Sequence, residues 1–196
     1  MFETIKIDNS KVCNIDYHNE RLNRSRKALF NSDDYFDLEQ LIIVPEEMKS
    51  GIVRCRVLYD QEIRKIDFFN YTPRVIRSLK LIESNDIDYS FKFDNRTKIN
   101  ELLKQKGDAD DILIIKNSFV TDTSYTNIVF FDGERWITPS TPLLKGTQRA
   151  RLLKEGIIVE DEIKVADLER FEKAVLINAM VGFEESSYIS IDRINF

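Results

Sequence analysis

The amino-acid sequence predicts an α+β fold with mixed helices and strands, and three observations support this prediction. Segments that alternate apolar and polar residues are interleaved with helix-like segments, without the regular strand–helix–strand repeat of a parallel sheet. Neither a GxGxxG fingerprint nor a phosphate-binding Walker loop occurs, so a Rossmann or P-loop fold has no support. The 196 residues suffice for one large domain or two small ones.

Residues 1–80 are predicted to form a smaller N-terminal α+β domain built on an antiparallel sheet. Residues 2–7 alternate as a strand does, and residues 17–30 have the apolar spacing of a helix. Two more alternating segments, 51–59 and 63–71, are separated by three polar residues, which indicates a hairpin.

Residues 86–196 are predicted to form a larger C-terminal α+β domain, and residues 73–85 are predicted to connect it to the first. A short strand is expected at 89–93, around Lys92. The other predicted elements are strands at 111–116, 127–131, 136–137, 174–178 and 188–194, and helices at 96–106, 146–155 and 167–173.

Composition excludes several classes of function. A formal net charge of −5 argues against a nucleic-acid partner, because such proteins usually carry a basic surface. His18 is the only histidine, and Cys13 and Cys55 lack CxxC spacing, so no metal site is predicted. No segment has the roughly 18 apolar residues of a membrane helix. The N-terminus lacks the apolar run of a signal peptide, so a cytoplasmic location is expected.

Two basic residues of the first half could take part in chemistry. Lys92 is either a solvent-exposed strand lysine or a lysine in a pocket beside Phe91 and Phe93, where desolvation would lower its pKa and free the amine as a nucleophile. Arg21 shares a helix face with His18 at spacing i, i+3. That face is either simply solvated or presents an arginine to a phosphate.

Two segments of the second half raise similar alternatives. Gly146 opens a helix with Thr147 and Gln148, which is either an ordinary helix start or an anion site formed by free backbone amides. Asp122 lies in a polar run and is either a turn residue or a carboxylate that pairs with a protonated ring nitrogen.

Taken in chain order, these motifs resemble the class IV family of pyridoxal-phosphate (PLP) aminotransferases and aminodeoxychorismate lyases. The agreement extends over nearly the whole chain, and the run from Asp111 to Leu153 is its most specific part. The matching motifs are Phe2-Glu3-Thr4-Ile5, His18-x-x-Arg21-Leu22, Lys92-Phe93-Asp94-Asn95-Arg96, Val120-Thr121-Asp122, Ser124-Tyr125-Thr126-Asn127, Thr138-Pro139 and Gly146-Thr147-Gln148-Arg149.

The resemblance assigns a role to each candidate residue. It implies that Lys92 forms the Schiff base with PLP and then moves protons, and that Arg21 binds the cofactor phosphate. The helix start at Gly146, Thr147 and Gln148 would complete that phosphate site.

Two further residues match the ring side of the cofactor site. Asp122 stands where the family usually has a glutamate that keeps the pyridine nitrogen protonated, and Asn127 matches an asparagine beneath the cofactor. Asp122 is one methylene shorter than glutamate, and the chain begins at the FETI motif, as a short version of the family without its usual N-terminal strands.

The resemblance also implies a two-domain fold-type IV architecture, similar to D-amino-acid aminotransferase, with PLP between the domains and a homodimer as the assembly. The leading hypothesis is a lyase that resembles 4-amino-4-deoxychorismate lyase, forming 4-aminobenzoate and pyruvate for folate synthesis from a small amino substrate. The alternatives are a class IV aminotransferase of branched-chain or D-amino-acid type and a catalytically inactive family member with a binding role.

Overall fold

The structure, a computed structural model, describes residues 1–184 and 186–195 and mixes helix and strand, at 24% and 32% respectively. The chain divides into two compact units. Unit 1 consists of Met1–Pro73 and Phe91–Asp94, and unit 2 consists of Arg74–Ser90 and Asn95–Phe196.

Unit 1 is a four-stranded antiparallel sheet, in the order β2-β1-β3-β4, with two helices. Alternate residues of β1 and β3 are buried, and Ile5 pairs with Cys55 in the middle of the sheet. Leu22 of the first helix packs into the same core. The elements are β1 (Phe2–Asp8), β2 (Lys11–Val12), α1 (Ile15–Phe30), α2 (Leu38–Leu41), a 3₁₀ turn (Glu46–Met48), β3 (Ile52–Tyr59) and β4 (Ile63–Asn70).

Unit 2 contains two sheets, ordered β10-β9-β8-β11-β12 and β13-β5-β6-β7. Its strands are β5 (Leu79–Glu83), β6 (Asp111–Lys116), β7 (Phe119–Thr123), β8 (Asn127–Phe131), β9 (Trp136–Pro139), β10 (Val159–Asp161), β11 (Lys173–Ile177), β12 (Ile189–Ser190) and β13 (Ile194–Asn195). Its helices are α3 (Thr97–Leu103), α4 (Thr147–Lys154) and the 3₁₀ segments Val165–Arg170 and Ile191–Arg193.

The core of unit 2 lies where the two sheets pack on each other. Leu113 of β6 and Phe130 of β8 are fully buried in the same apolar cluster. The ring of Phe130 stacks on Phe171 with centroids 4.9 Å apart. Five of the six residues of β6 are buried, which agrees with the near-continuous apolar run that predicts a central strand.

The predicted α+β class is confirmed, and the predicted hairpin of unit 1 is present as β3 and β4. Several local predictions were wrong, and two of them concern the division of the chain into units. The expected connector over residues 73–85 contains β5, which pairs in parallel with β6, so the division between the units follows Pro73. Residues 89–93 form no strand, and Phe91–Asp94 belong to unit 1. The run around Asp122 is a strand, β7, which rules out the turn residue as one of the two alternatives for Asp122.

Within residues 1–184 and 186–195, no helix combines the length and the apolar character that crossing a membrane requires. The same residues contain no group of three or more His, Cys, Asp or Glu side chains arranged to hold a metal ion.

Candidate active site

Lys92 lies in an irregular segment of unit 1 that is tied to the start of β1. The backbone N–H of Phe2 donates to the Lys92 carbonyl at 3.1 Å. The Lys92 Nζ atom lies 4.7 Å from the centroid of the Phe2 ring, within range of a cation–π contact. Lys92 is half-buried, and Phe91 and Phe93 contact each other edge to face. The amine therefore lies beside one aromatic ring, that of Phe2, and the pocket beside Phe91 and Phe93 stays a prediction.

Arg21 is held by a carboxylate that the sequence analysis did not single out. The Arg21 Nε atom donates to Glu3 Oε1 at 2.8 Å, and Arg21 Nη2 donates to Glu3 Oε2. His18 Nδ1 lies 2.7 Å from Glu3 Oε2. All three side chains are buried. The alternation in β1 indicates that Glu3 is buried, because this residue shares a strand face with the core residues Ile5 and Ile7.

The pKa values within this cluster follow from burial and charge. Burial alone would raise the pKa of Glu3, but the charge of Arg21 and the hydrogen bonds from His18 and Arg21 outweigh it and hold the pKa at about 2. Burial lowers the pKa of His18, and the positive charges of Arg21 and Lys92 act in the same direction, against the raising effect of Glu3. At neutral pH the cluster therefore contains an ionised Glu3, a neutral His18 and a charged Arg21.

Asp122 of β7 is a buried acid with a different environment. Its Oδ1 accepts a hydrogen bond from Asn127 Nδ2, and its Oδ2 accepts one from the backbone N–H of Leu144, both at 2.8 Å. Burial raises the pKa of Asp122 to about 6, although these two donors and the charge of Arg149 lower it. Ionised Asp122 would therefore gain from a cation placed beside it.

Gly146 caps the N-terminus of α4 and lies against Asn127. A Cβ atom on Gly146 would be 2.1 Å from Asn127 Oδ1, a distance that side chains do not tolerate. Gly146 supplies no side-chain acceptor for the amides of the first turn. Thr147 and Gln148, the first two residues of α4, are 4% and 3% exposed. A buried helix start with this cap has the chemistry of an anion site.

The structure thus groups the predicted residues into two sets. Unit 1 contains Lys92 and Arg21, whose charges both act on His18. Unit 2 contains Asp122, Asn127, Gly146, Thr147 and Gln148. Asp122 contacts Asn127, and Asn127 packs against Gly146. The closeness of these three could not be read from their positions in the sequence, because Gly146 lies in the loop after two intervening strands.

Comparison with known proteins shows the family. The model of the amino-transferase class IV family matches residues 1–184. The chain belongs to this family. An uncharacterized protein of Haemophilus influenzae is 41% identical over 184 residues, covering 93% of this chain and 98% of that protein. A Schizosaccharomyces pombe protein, provisionally named an aminodeoxychorismate lyase, is 36% identical over 81 residues, which cover 38% of this chain and 35% of that protein.

Solved structures of class IV proteins share the fold. A Haemophilus somnus protein, provisionally named a 4-amino-4-deoxychorismate lyase, superposes with a TM-score of 0.89 at 39% identity, covering 93% of this chain and 97% of that one. A hypothetical aminotransferase of Mycobacterium tuberculosis in its PLP-bound form gives a TM-score of 0.76 at 17% identity, covering 96% and 79%. The fold-type IV prediction is therefore confirmed.

The class IV family depends on PLP, and the residues of this chain fit that cofactor. PLP combines an anionic phosphate with a ring nitrogen that carries a proton in family members. Asp122 supplies a buried carboxylate for a cationic ring nitrogen. The buried start of α4 and the guanidinium of Arg21 are groups that bind phosphate.

Proposed function

We propose that this protein is a PLP-dependent lyase that converts 4-amino-4-deoxychorismate to 4-aminobenzoate and pyruvate, a step of folate synthesis. The observation that carries the choice of reaction is the likeness to the Haemophilus somnus protein, at 39% identity over 93% of this chain. The S. pombe relative carries a name of the same kind. The residues of the two units support the use of PLP.

In unit 1, Lys92 would hold the cofactor covalently through its amine. The contact with the Phe2 ring, at 4.7 Å from Nζ, limits where that amine can lie. Arg21 would bind the phosphate. Its guanidinium is fixed in place by Glu3, which takes hydrogen bonds from Nε and Nη2. A guanidinium held in advance loses less side-chain entropy when it binds an anion.

In unit 2, Asp122 would keep the ring nitrogen protonated, and the α4 start at Gly146, Thr147 and Gln148 would add amide donors to the phosphate. Asn127 supports Asp122 through a 2.8 Å hydrogen bond. When bound, PLP supplies an electron sink that stabilises negative charge on the substrate carbon.

Lys92 is also the proposed proton carrier. With substrate bound, the Lys92 amine would accept a proton from the substrate carbon at its Nζ atom and would return a proton as pyruvate leaves. The amine has to be neutral to take that first proton.

Two measurements test the proposal. Protein loaded with PLP should show a visible absorption band that borohydride bleaches, and peptide mass spectrometry should find the reduced cofactor on Lys92. Lys92→Ala should show neither. Loaded wild-type protein should then release pyruvate from 4-amino-4-deoxychorismate. A covalent Lys92 adduct without pyruvate release would contradict the lyase assignment while leaving PLP binding intact.

The family name itself favours a second candidate function, an amino-acid aminotransferase. An aminotransferase given only an amino donor converts its cofactor to the pyridoxamine form, with loss of the visible band. That conversion, together with no pyruvate from 4-amino-4-deoxychorismate, would replace the lyase proposal.

We also propose that the protein is a homodimer, because closed two-fold dimers are the commonest assembly of soluble proteins. Sedimentation equilibrium of the PLP-loaded protein tests this, and a monomer mass across micromolar concentrations would refute it.

A further inference from the structure

Both N–H groups of the Asn127 side chain donate hydrogen bonds to other groups of the protein. The amide Nδ2 has two N–H groups. One is donated to Asp122 Oδ1 at 2.8 Å, and the other to the carbonyl of Leu144 at 2.9 Å. The reverse orientation of this amide would point its oxygen at a carboxylate and a carbonyl, which are both acceptors. The orientation of Asn127 is therefore fixed by its neighbours, and its donors are unavailable to a ligand.

Leu144 closes the arrangement on its other side. Its backbone N–H donates to Asp122 Oδ2 at 2.8 Å, while its carbonyl accepts from Asn127. Asp122, Asn127 and Leu144 thus form a closed ring of three hydrogen bonds, which we call the carboxylate clamp. Both oxygens of Asp122 are held, so the carboxylate cannot rotate about its last bond without breaking two hydrogen bonds.

Gly146 completes the clamp by leaving room for it. The φ and ψ of Gly146, −67° and 149°, are ordinary values for any residue, so backbone conformation does not demand glycine here. The lack of space demands glycine at this position, because a Cβ atom would lie 2.1 Å from Asn127 Oδ1 and 3.2 Å from Asn127 Cγ. Asn127 is 6% exposed and holds two hydrogen bonds, so it cannot move aside without opening the clamp.

We infer that Asn127 is a positioning residue that fixes the Asp122 carboxylate toward the ring nitrogen of the cofactor, and that Gly146 is a glycine chiefly because the Asn127 amide occupies the space of a side chain. The cofactor part of this inference rests on the proposed function. It assigns Asn127 a contact with Asp122 instead of the direct cofactor contact that the family resemblance implied. It also explains how an aspartate can stand in for the longer glutamate: donors from two sides hold the shorter acid at a defined place.

The test is a double-mutant cycle on the apo protein. Asn127→Ala removes a hydrogen bond to the ionised acid, so the pKa of Asp122, followed by carbon-13 NMR of labelled aspartate, should rise by roughly 1 to 2 above its wild-type value of about 6. Gly146→Ala should raise it similarly by displacing the amide. In the Asn127→Ala background, Gly146→Ala should have no further effect, because the obstructing amide is gone.

The matched control is Thr121→Val. Thr121 is also buried in β7, and its hydroxyl donates to the Ile114 carbonyl at 2.6 Å. It precedes Asp122 and therefore points to the other face of the strand. This variant loses a buried hydrogen bond but should leave the pKa of Asp122 unchanged. An unchanged pKa in Asn127→Ala, or a Gly146→Ala effect that is equal in both backgrounds, would overturn the clamp.

The cofactor part is measured separately, as the dissociation constant of PLP. Asn127→Ala should weaken PLP binding by about 10-fold or more, and the double variant should bind no worse than Asn127→Ala alone. Unchanged PLP affinity in Asn127→Ala, alongside a raised Asp122 pKa, would refute the positioning role. Wild-type protein that shows the clamp in NMR but binds no PLP would refute the proposed function and the positioning role together, and leave the reason for Gly146 standing.

Discussion

Two buried carboxylates of this protein, Glu3 in unit 1 and Asp122 in unit 2, are stabilised in opposite ways. Glu3 of unit 1 is fully buried beside Arg21 and His18, and its pKa is held at about 2 against the effect of burial. Asp122 of unit 2 is 6% exposed, its direct donors are the neutral groups of Asn127 and Leu144, and burial raises its pKa to about 6. Sequence and burial class alone would treat them as equivalent buried acids.

The difference separates a structural acid from a functional one. The negative charge of ionised Glu3 is balanced by Arg21 within the fold. Glu3 therefore holds the Arg21 guanidinium in place and adds stability while it is ionised. Asp122 accepts hydrogen bonds but has no directly bonded cation among residues 1–184 and 186–195, so ionising it costs free energy until a cation binds. A buried acid with a raised pKa beside a helix start that can bind an anion is a candidate ligand group.

The largest expected effect on stability comes from removing the Glu3 carboxylate. Glu3→Leu leaves the Arg21 guanidinium buried without its carboxylate, which should lower the free energy of unfolding by about 3–5 kcal/mol. Urea denaturation of the apo protein at pH 7 measures this loss.

Two controls show whether the loss comes from an uncompensated charge. The double variant Glu3→Leu/Arg21→Leu should lose less than Glu3→Leu alone, because no cation is left buried. Glu20→Ala, which breaks an exposed pair with Arg24 on the same helix, should change stability by less than about 1 kcal/mol. A double variant less stable than the single one would contradict this account.

The second largest effect is the pH dependence that ionisation of Asp122 gives to the free energy of unfolding. Its folded pKa of about 6 exceeds the ordinary value of 3.8, so the native state binds more protons than the unfolded state between these values. Stability therefore falls as pH rises through this window, by at most about 3 kcal/mol. Asp122→Asn should remove that fall, which urea denaturation of both apo proteins from pH 4 to 7 would reveal.

The sign of this dependence distinguishes the two acids. Glu3 has a folded pKa below its ordinary value of 4.5, so its contribution is present above that pH and is lost as pH falls toward about 2. Both proteins keep Glu3, so its contribution cancels in the difference between wild type and Asp122→Asn. A difference in stability that stays constant from pH 4 to 7 would show that Asp122 ionises as an ordinary aspartate.

The sequence predicted much of this arrangement but missed the contrast within it. Alternation and apolar runs located β1, the β3–β4 hairpin and β6. The order of the motifs selected Lys92, Arg21 and Asp122 as candidate site residues. The role of Glu3 was missed, although its place on the same strand face as Ile5 and Ile7 marked it as buried. Its partners come from α1, and no local pattern shows which helix residues will face a given strand.

Other failures have similar physical causes. The segment around Lys92 alternates as a strand does, but its tie to unit 1 is a backbone hydrogen bond to Phe2, 90 positions earlier. A strand requires a continuous partner, and alternation alone does not supply one. The carboxylate clamp also depends on a loop, because Leu144 reaches Asp122 only after β8 and β9 have folded back.

The smallest expected effect on stability is that of replacing Lys92, although Lys92 is the proposed site of covalent PLP attachment. Lys92 is half-buried, and its ammonium contacts the Phe2 ring. Lys92→Ala removes this contact, which is worth about 0.5–1 kcal/mol, and should therefore lower the unfolding free energy of the apo protein much less than Glu3→Leu does. The same variant should lose all borohydride-stable attachment of PLP. Lys6→Ala, on the same strand as Phe2, serves as the control that keeps the attachment. A loss of several kcal/mol in Lys92→Ala would place Lys92 with Glu3, as a charge that the fold itself needs.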